Sequence, residues 1–110
     1  MPPAIIEVTN FEEDVLETSS QVPVLVDFWA EWCTACKGLS RTLEDMAEDS
    51  EGAFVLAKLN VETNPELAKQ LGVQSLPTVT LYRDRKVIDS FTGQLPKMHI
   101  RSFLKRNMTD

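Results

Sequence analysis

From Val22 to Ala30 the chain is almost continuously apolar, interrupted only by Pro23 and Asp27. A strand with no polar face has to be covered on both sides. This segment therefore belongs inside a sheet that carries helices on either face, rather than at a half-solvated edge. Directly after it comes Trp32-Cys33-Thr34-Ala35-Cys36-Lys37, which holds the only two cysteines of the chain. Beyond them Leu39, Leu43, Met46 and Ala47 recur at spacings of three and four, so a helix is expected from about Thr34 to Asp49. The pair thus marks a strand-to-helix passage. At such a passage unpaired backbone N–H groups and the helix dipole favour a negative charge on the first cysteine. A thiolate is the form that attacks disulfides, so the placement points to thiol–disulfide exchange.

The rest of the chain alternates short apolar runs with helical patterns. Ala4 to Val8 reads as a first strand, and Asn10 caps a short helix with Glu12, Glu13 and Asp14 in its first turn. Ala53 to Leu59 forms another strand after a stop at Gly52. Asn64-Pro65-Glu66 starts a short helix, with Asn64 as cap, that ends near Gly72. Pro77 opens a strand over Thr78 to Tyr82, and Asp84-Arg85 turns the chain into a last one, Lys86 to Phe91. Pro96 to Asn107 carries Ile100, Phe103 and Leu104 at helical spacing. The order β-α-β-α-β-α-β-β-α needs crossovers in its first half and a hairpin in its second. An α/β fold follows, a central mixed five-stranded sheet flanked by four helices.

With 110 residues and 43% hydrophobic content, a single domain over 1–110 is expected. A formal charge of −6 argues against nucleic acid or an anionic membrane as the main partner. No segment approaches the roughly 20 apolar residues that span a bilayer. The start, Met1-Pro2-Pro3-Ala4-Ile5-Ile6-Glu7, lacks the basic and apolar regions of a secretory signal, so a cytoplasmic location is expected.

Within the pair the expected split is that Cys33, at the helix start, has a thiol pKa well below the free value of about 8.5 and attacks. Cys36, about a turn further in, resolves the mixed disulfide. Two other readings compete. A structural bridge closing so short a loop would contribute only about 2 kcal/mol. Half of a zinc site would need further ligands, and the chain has one histidine and no second cysteine pair. Asp27 is the next anomaly: a carboxylate within a doubly buried strand is costly, and its pKa should rise unless something pairs with it. Lys58, in the adjacent strand candidate, is the natural partner. Asp27 then reads as proton acceptor and donor for Cys36, directly or through a water; a surface or strand-edge aspartate is the competing reading. Trp32 is expected partly exposed beside the thiolate and His99 on the surface; Trp29 also flanks the pair and reads equally well as plain core. A proline opening a buried strand can avoid donating to the sheet through a cis bond, although only about 5–6% of X–Pro bonds in folded proteins are cis.

The segment Val26-Asp27-Phe28-Trp29-Ala30-Glu31-Trp32-Cys33-x-x-Cys36-Lys37, followed by Ala57-Lys58-Leu59-Asn60-Val61 and Leu76-Pro77-Thr78, resembles the thioredoxin family in order and spacing from about residue 5 to residue 106. The resemblance implies a thioredoxin fold and a protein-disulfide reductase cycle. By position Cys33 resembles the nucleophile, Cys36 the resolving cysteine, Asp27 the buried acid and Lys58 its neighbour. Pro77 resembles the family's cis-proline. Leu76 before it would offer backbone hydrogen bonds to an extended substrate, and Gly93 would sit on the adjoining loop. With Trp32, Thr34 and Ala35 these make up the expected substrate-binding set. The resemblance also implies no bound cofactor and no metal, a redox-active disulfide reduced by an NADPH-dependent flavoprotein thioredoxin reductase, client proteins carrying disulfides, and a monomer.

Three positions depart from the family pattern. Thr34-Ala35 stands in place of the usual Gly-Pro, Arg41 in place of a helix proline, and Arg85 in place of a hairpin glycine. Without a proline in the helix, a straighter helix is expected. The Thr34-Ala35 dipeptide is expected to make the couple more oxidising by some tens of millivolts, on a scale where 30 mV corresponds to about 1.4 kcal/mol. Sequence therefore leaves two alternatives beside a reductant: a binding or scaffold module on the same fold, and a more oxidising oxidase or isomerase.

Overall fold

The computed structural model describes residues 2–108; Met1, Thr109 and Asp110, the ends of the expected domain, lie outside the described residues. Five strands, β1 (Ile5–Glu7), β2 (Val24–Trp29), β3 (Val55–Asn60), β4 (Thr78–Arg83) and β5 (Lys86–Thr92), form one sheet in the order β1-β3-β2-β4-β5. β1, β3 and β2 run parallel, while β4 lies antiparallel to β2 and pairs with β5 as a hairpin. The doubly buried run is thus the central strand. Helices α1 (Thr34–Asp49), α2 (Pro65–Gln70) and α3 (Lys97–Met108) supply the crossovers and the C-terminal cover.

Period-two alternation sorts β2 onto two cores. Leu25 points with Leu56, Val79 and Leu81 into a cluster closed by Leu39 and Leu43 of α1 and by Ile100 and Phe103 of α3. Val24, Val26 and Phe28 point the other way, among Val15, Val55, Ala57, Leu59 and Tyr82, with Leu67 of α2 against them. Asp27 shares the parity of Leu25 and therefore faces α1.

The fourth helical element differs from a plain α-helix. Glu12–Glu17 is wound with the wider π pattern and Thr18–Ser20 with the tighter 3-10 pattern. Asn10 does cap it, its side-chain oxygen accepting from the Glu13 N–H at 3.0 Å. The Asp14 carboxylate answers by accepting from the Thr9 and Asn10 N–H groups at 2.9 and 3.0 Å. At α2 the expected side-chain cap is not made. Asn64 Nδ2 instead donates back to the Asn60 carbonyl at 3.0 Å, while Pro65 takes the first turn. Gly72 ends α2 with φ of +76°, as its left-handed role required.

The β4–β5 turn places both Asp84 and Arg85 at positive φ, 52° and 68°. Two left-handed residues match the twist of a tight hairpin, and non-glycine residues occupy them at a cost. Ser19 clamps the turn: its carbonyl accepts from the Asp84 N–H and its hydroxyl from the Arg85 N–H, each at 2.8 Å. The Arg85 guanidinium pairs with Glu12.

Candidate active site

The carboxyl end of β2 delivers the chain to Cys33, whose N–H donates to the Ala30 carbonyl at 3.1 Å. Cys33 has extended backbone angles (φ −89°, ψ 100°) and is the N-cap of α1, its Sγ accepting the Cys36 N–H at 3.2 Å. A sulfur thereby takes the place that a serine or aspartate oxygen usually fills at a helix start. Cys33 and Cys36 are disulfide-bonded, with Cα atoms 5.3 Å apart. The two sulfurs are unequal: Cys33 keeps 7% of its surface and Cys36 none. Ala30, Trp29, Val61 and Leu76 enclose the pair.

Around it stand the residues expected to meet a substrate. Trp32 is 68% exposed, and Thr34 and Ala35 are exposed at the first turn of α1. The Leu76–Pro77 peptide bond is cis. Pro77 is buried and its carbonyl accepts the Gly93 N–H at 2.9 Å, which ties the two loops together. Between Trp32 and the stretch from α2 to Leu76 runs an open groove of about 470 Å³, floored by Val61, Ala68, Val73 and Leu76.

Asp27 is completely buried. Its Oδ2 accepts a hydrogen bond from the Ser40 hydroxyl, and its Oδ1 is buried without a protein hydrogen-bond partner. Burial pushes the carboxyl up from 3.8 to about 6; the Ser40 bond and the Lys58 charge oppose the shift, and Glu44 and Glu7 reinforce it. The reading of Asp27 as a surface or edge residue is thereby corrected, since it stands in the central strand under α1.

Lys58, the partner expected for it, stands beside it and acts on it through charge, while the Lys58 ion pairs go to other carboxylates. Asp27 and Lys58 are register neighbours on β2 and β3, yet the Lys58 ammonium pairs with Glu44 of α1 at 2.9 Å and with Glu7 of β1 at 3.9 Å. It also lies 5.2 Å above the Trp29 ring. Burial alone would depress Lys58; its bond and attraction to Glu44, then the charges of Glu7 and Asp27, hold it above its usual value instead. Trp29 is half-buried beside this cation rather than plain core. His99 is exposed on α3, away from the pair.

Ser40, Glu44 and Glu7 are site neighbours that the sequence reading passed over. Ser40 carried a signal, being a polar residue within the apolar stripe of α1, one turn beyond Cys36. Glu44 and Glu7 carried none, because their convergence on Lys58 depends on how α1 and β1 cross β3. Among the described residues no cluster of histidine, cysteine and carboxylate side chains could hold a metal ion. Nor is any helix among them long and apolar enough to cross a membrane.

Residues 3–106 match the family model described as Thioredoxin. Several relatives agree. A thioredoxin of Chlorobaculum thiosulfatiphilum is 46% identical over 80% of each chain. Thioredoxins of Buchnera aphidicola and Pseudomonas aeruginosa are 41% and 39% identical, each over 94% of this chain and 96% of the relative.

Proposed function

The chain belongs to the thioredoxin family, whose members are thiol–disulfide oxidoreductases that need no cofactor of their own, and we propose that this one works as a protein-disulfide reductant with Cys33 as nucleophile. The observation that carries the assignment is the asymmetry of the pair. Cys33 caps α1, where backbone N–H groups stabilise a thiolate, and alone of the two keeps an exposed edge.

The Cys33 thiolate attacks one sulfur of a client disulfide. That S–S bond breaks, one client sulfur leaves as thiolate, and a mixed disulfide forms. Cys36 gives its proton to Asp27 and attacks Cys33 Sγ. The intermolecular bond breaks, the second client sulfur leaves, and Cys33–Cys36 closes. Two electrons have passed to the client, and the disulfide state described above is the product. Thioredoxins act with a reductase and with disulfide-bearing clients, and here an NADPH-dependent flavoprotein thioredoxin reductase resets the pair. Trp32, Thr34, Ala35, Leu76, Pro77 and Gly93 receive the client segment. Lys58 tempers the charge that Asp27 acquires. Residues 1–110 act as one domain, monomeric and cytoplasmic.

Trapping tests the assignment of roles. Cys36→Ser should accumulate mixed disulfides with clients, and Cys33→Ser should not; equal accumulation would reverse or abolish the split. Equilibration against glutathione tests the direction. A couple near about −270 mV fits a reductant, and one near about −120 to −180 mV an oxidant or isomerase.

A further inference from the structure

Asp27 is completely buried, whereas Ser40 keeps 7% of its surface and shares a cleft wall with Cys36. Both line a second cleft of about 230 Å³, together with Trp29, Glu44 and Lys58. At roughly 30 Å³ per molecule of liquid water, such a cleft admits several waters. Cys36 and Ser40 are four residues apart on α1, hence neighbours on one face. The Ser40 hydroxyl, in turn, is bonded to Asp27 Oδ2. A serine hydroxyl has one proton to donate and lone pairs to accept with. Ser40 can therefore take a hydrogen bond from a cleft water while giving its own to the carboxylate.

We infer that Ser40 is the hydroxyl relay through which the buried Asp27 exchanges its proton with cleft water and so with Cys36. The inference rests on the role proposed above for Asp27. In the resolving step, the Cys36 S–H bond breaks and its proton passes to a water. That water passes one of its protons to Ser40 Oγ, and Oγ–H passes its own to Asp27 Oδ2. The water and the serine end unchanged, and one proton has moved from sulfur to carboxylate. The charged groups facing Asp27 are Ser40's neighbour Glu44 on α1, Lys58 on β3 and Glu7 on β1. Glu31, Lys37 and Arg41 stand at the mouth of the cleft.

Insulin-disulfide reduction, driven by dithiothreitol and followed from pH 5.5 to pH 9, tests the relay with Ser40→Ala, Ser40→Thr, Asp27→Asn and the double variant Asp27→Asn/Ser40→Ala. Alanine is the best helix former, so α1 persists in Ser40→Ala; Ser40→Thr retains a hydroxyl. Positioned acid–base groups contribute 10²–10⁴-fold, and direct contact with water recovers part of that, so Ser40→Ala should be about tenfold slower at pH 7. The defect should fade by pH 9, where hydroxide in the cleft competes with the relay as proton acceptor. Ser40→Thr should restore most of the rate, and the double variant should be no slower than Asp27→Asn, since the two residues act in series. If Asp27→Asn shows the pH-dependent defect while Ser40→Ala is as fast as the parent, the relay is overturned and the role of Asp27 stands. A pH-independent loss in Ser40→Ala that adds to that of Asp27→Asn has the same consequence. If Asp27→Asn leaves the pH profile unchanged, the role of Asp27 falls and the relay with it.

Discussion

Replacing Asp27 by asparagine should make the oxidised protein more stable at pH 8 than at pH 4, relative to the parent. In the parent the unfolded chain ionises this carboxyl near 3.8, and the folded chain holds its proton to about 6. Between those values the unfolded state loses a proton that the native state keeps, so stability falls as pH rises, and above about pH 6 the loss is complete. The gap is about two pKa units, and at 1.36 kcal/mol per unit it amounts to about 3 kcal/mol. The asparagine side chain of the variant does not titrate. It will carry a constant offset of about 1–3 kcal/mol, because an amide donor is placed in a fully buried position where the carboxylate only accepted. The informative quantity is therefore the change in the difference between variant and parent across pH. Urea unfolding of both proteins at pH 4, 5, 6, 7 and 8, read by fluorescence of Trp29 and Trp32, measures it. The difference should move in favour of the variant by about 2 kcal/mol between pH 4 and pH 8, the rest of the total falling below pH 4, with its midpoint between 4 and 6. A difference that stays level across this range would refute the argument that burial dominates the charge state of Asp27.

Glu44→Gln should lower the Asp27 titration midpoint, because it removes one repelling carboxylate and frees the Lys58 charge to act on Asp27; carboxyl-resolved NMR titration reads the shift, and a rise would contradict the assignment. Ser19→Ala should destabilise the protein by about 0.5–1.5 kcal/mol, since the Arg85 N–H loses its hydrogen bond at a turn already held at positive φ. Equilibrium unfolding checks it, and an unchanged midpoint would show that the hairpin holds without the clamp. Thr34→Gly combined with Ala35→Pro should move the couple to a more reducing potential by some tens of millivolts, because a fixed φ lowers the entropy lost when the two sulfurs join. Glutathione equilibration would show it, and an oxidising shift would reverse the reasoning.

The parts of this fold legible in the sequence are those fixed by short-range periodicity. Thr34–Asp49 is the helix that the Leu39-Leu43-Met46-Ala47 stripe requires, and Val24–Trp29 is the central strand that a two-sided apolar run requires. The helical turns after Asn10 are legible as helix but not as π and 3-10 winding, because the local sequence pattern does not register how these turns pack on β4. Asp27 could be flagged because it violates a pattern, and burial, the largest cause of the rise in its pKa, follows from that pattern. Its hydrogen-bond partner could not be read in the same way. The register puts Lys58 beside it, but α1 crosses the sheet so that Ser40 reaches the carboxylate and Glu44 captures the ammonium. Crossing geometry is a property of packed layers, and no spacing within one segment encodes it.

That capture has a consequence for the chemistry. An ammonium paired with Asp27 would favour the carboxylate and draw its pKa down, leaving a weak base at neutral pH. Here the single cation is shared with Glu44 and Glu7, so the cluster is already net negative before Asp27 ionises. Burial and the two glutamates then act in the same sense, and the carboxyl rests at about 6, close to where a group must sit to take and return a proton near neutrality. The arrangement costs about 3 kcal/mol above pH 6, a large share of the 5–15 kcal/mol by which such a domain is stable. A hydrophobic residue facing α1 would avoid that cost, as Leu25 does two positions earlier. On the role proposed for Asp27, an acid bonded to Ser40 one turn beyond Cys36 is placed to take the proton released when the disulfide closes, and that role would offset the cost.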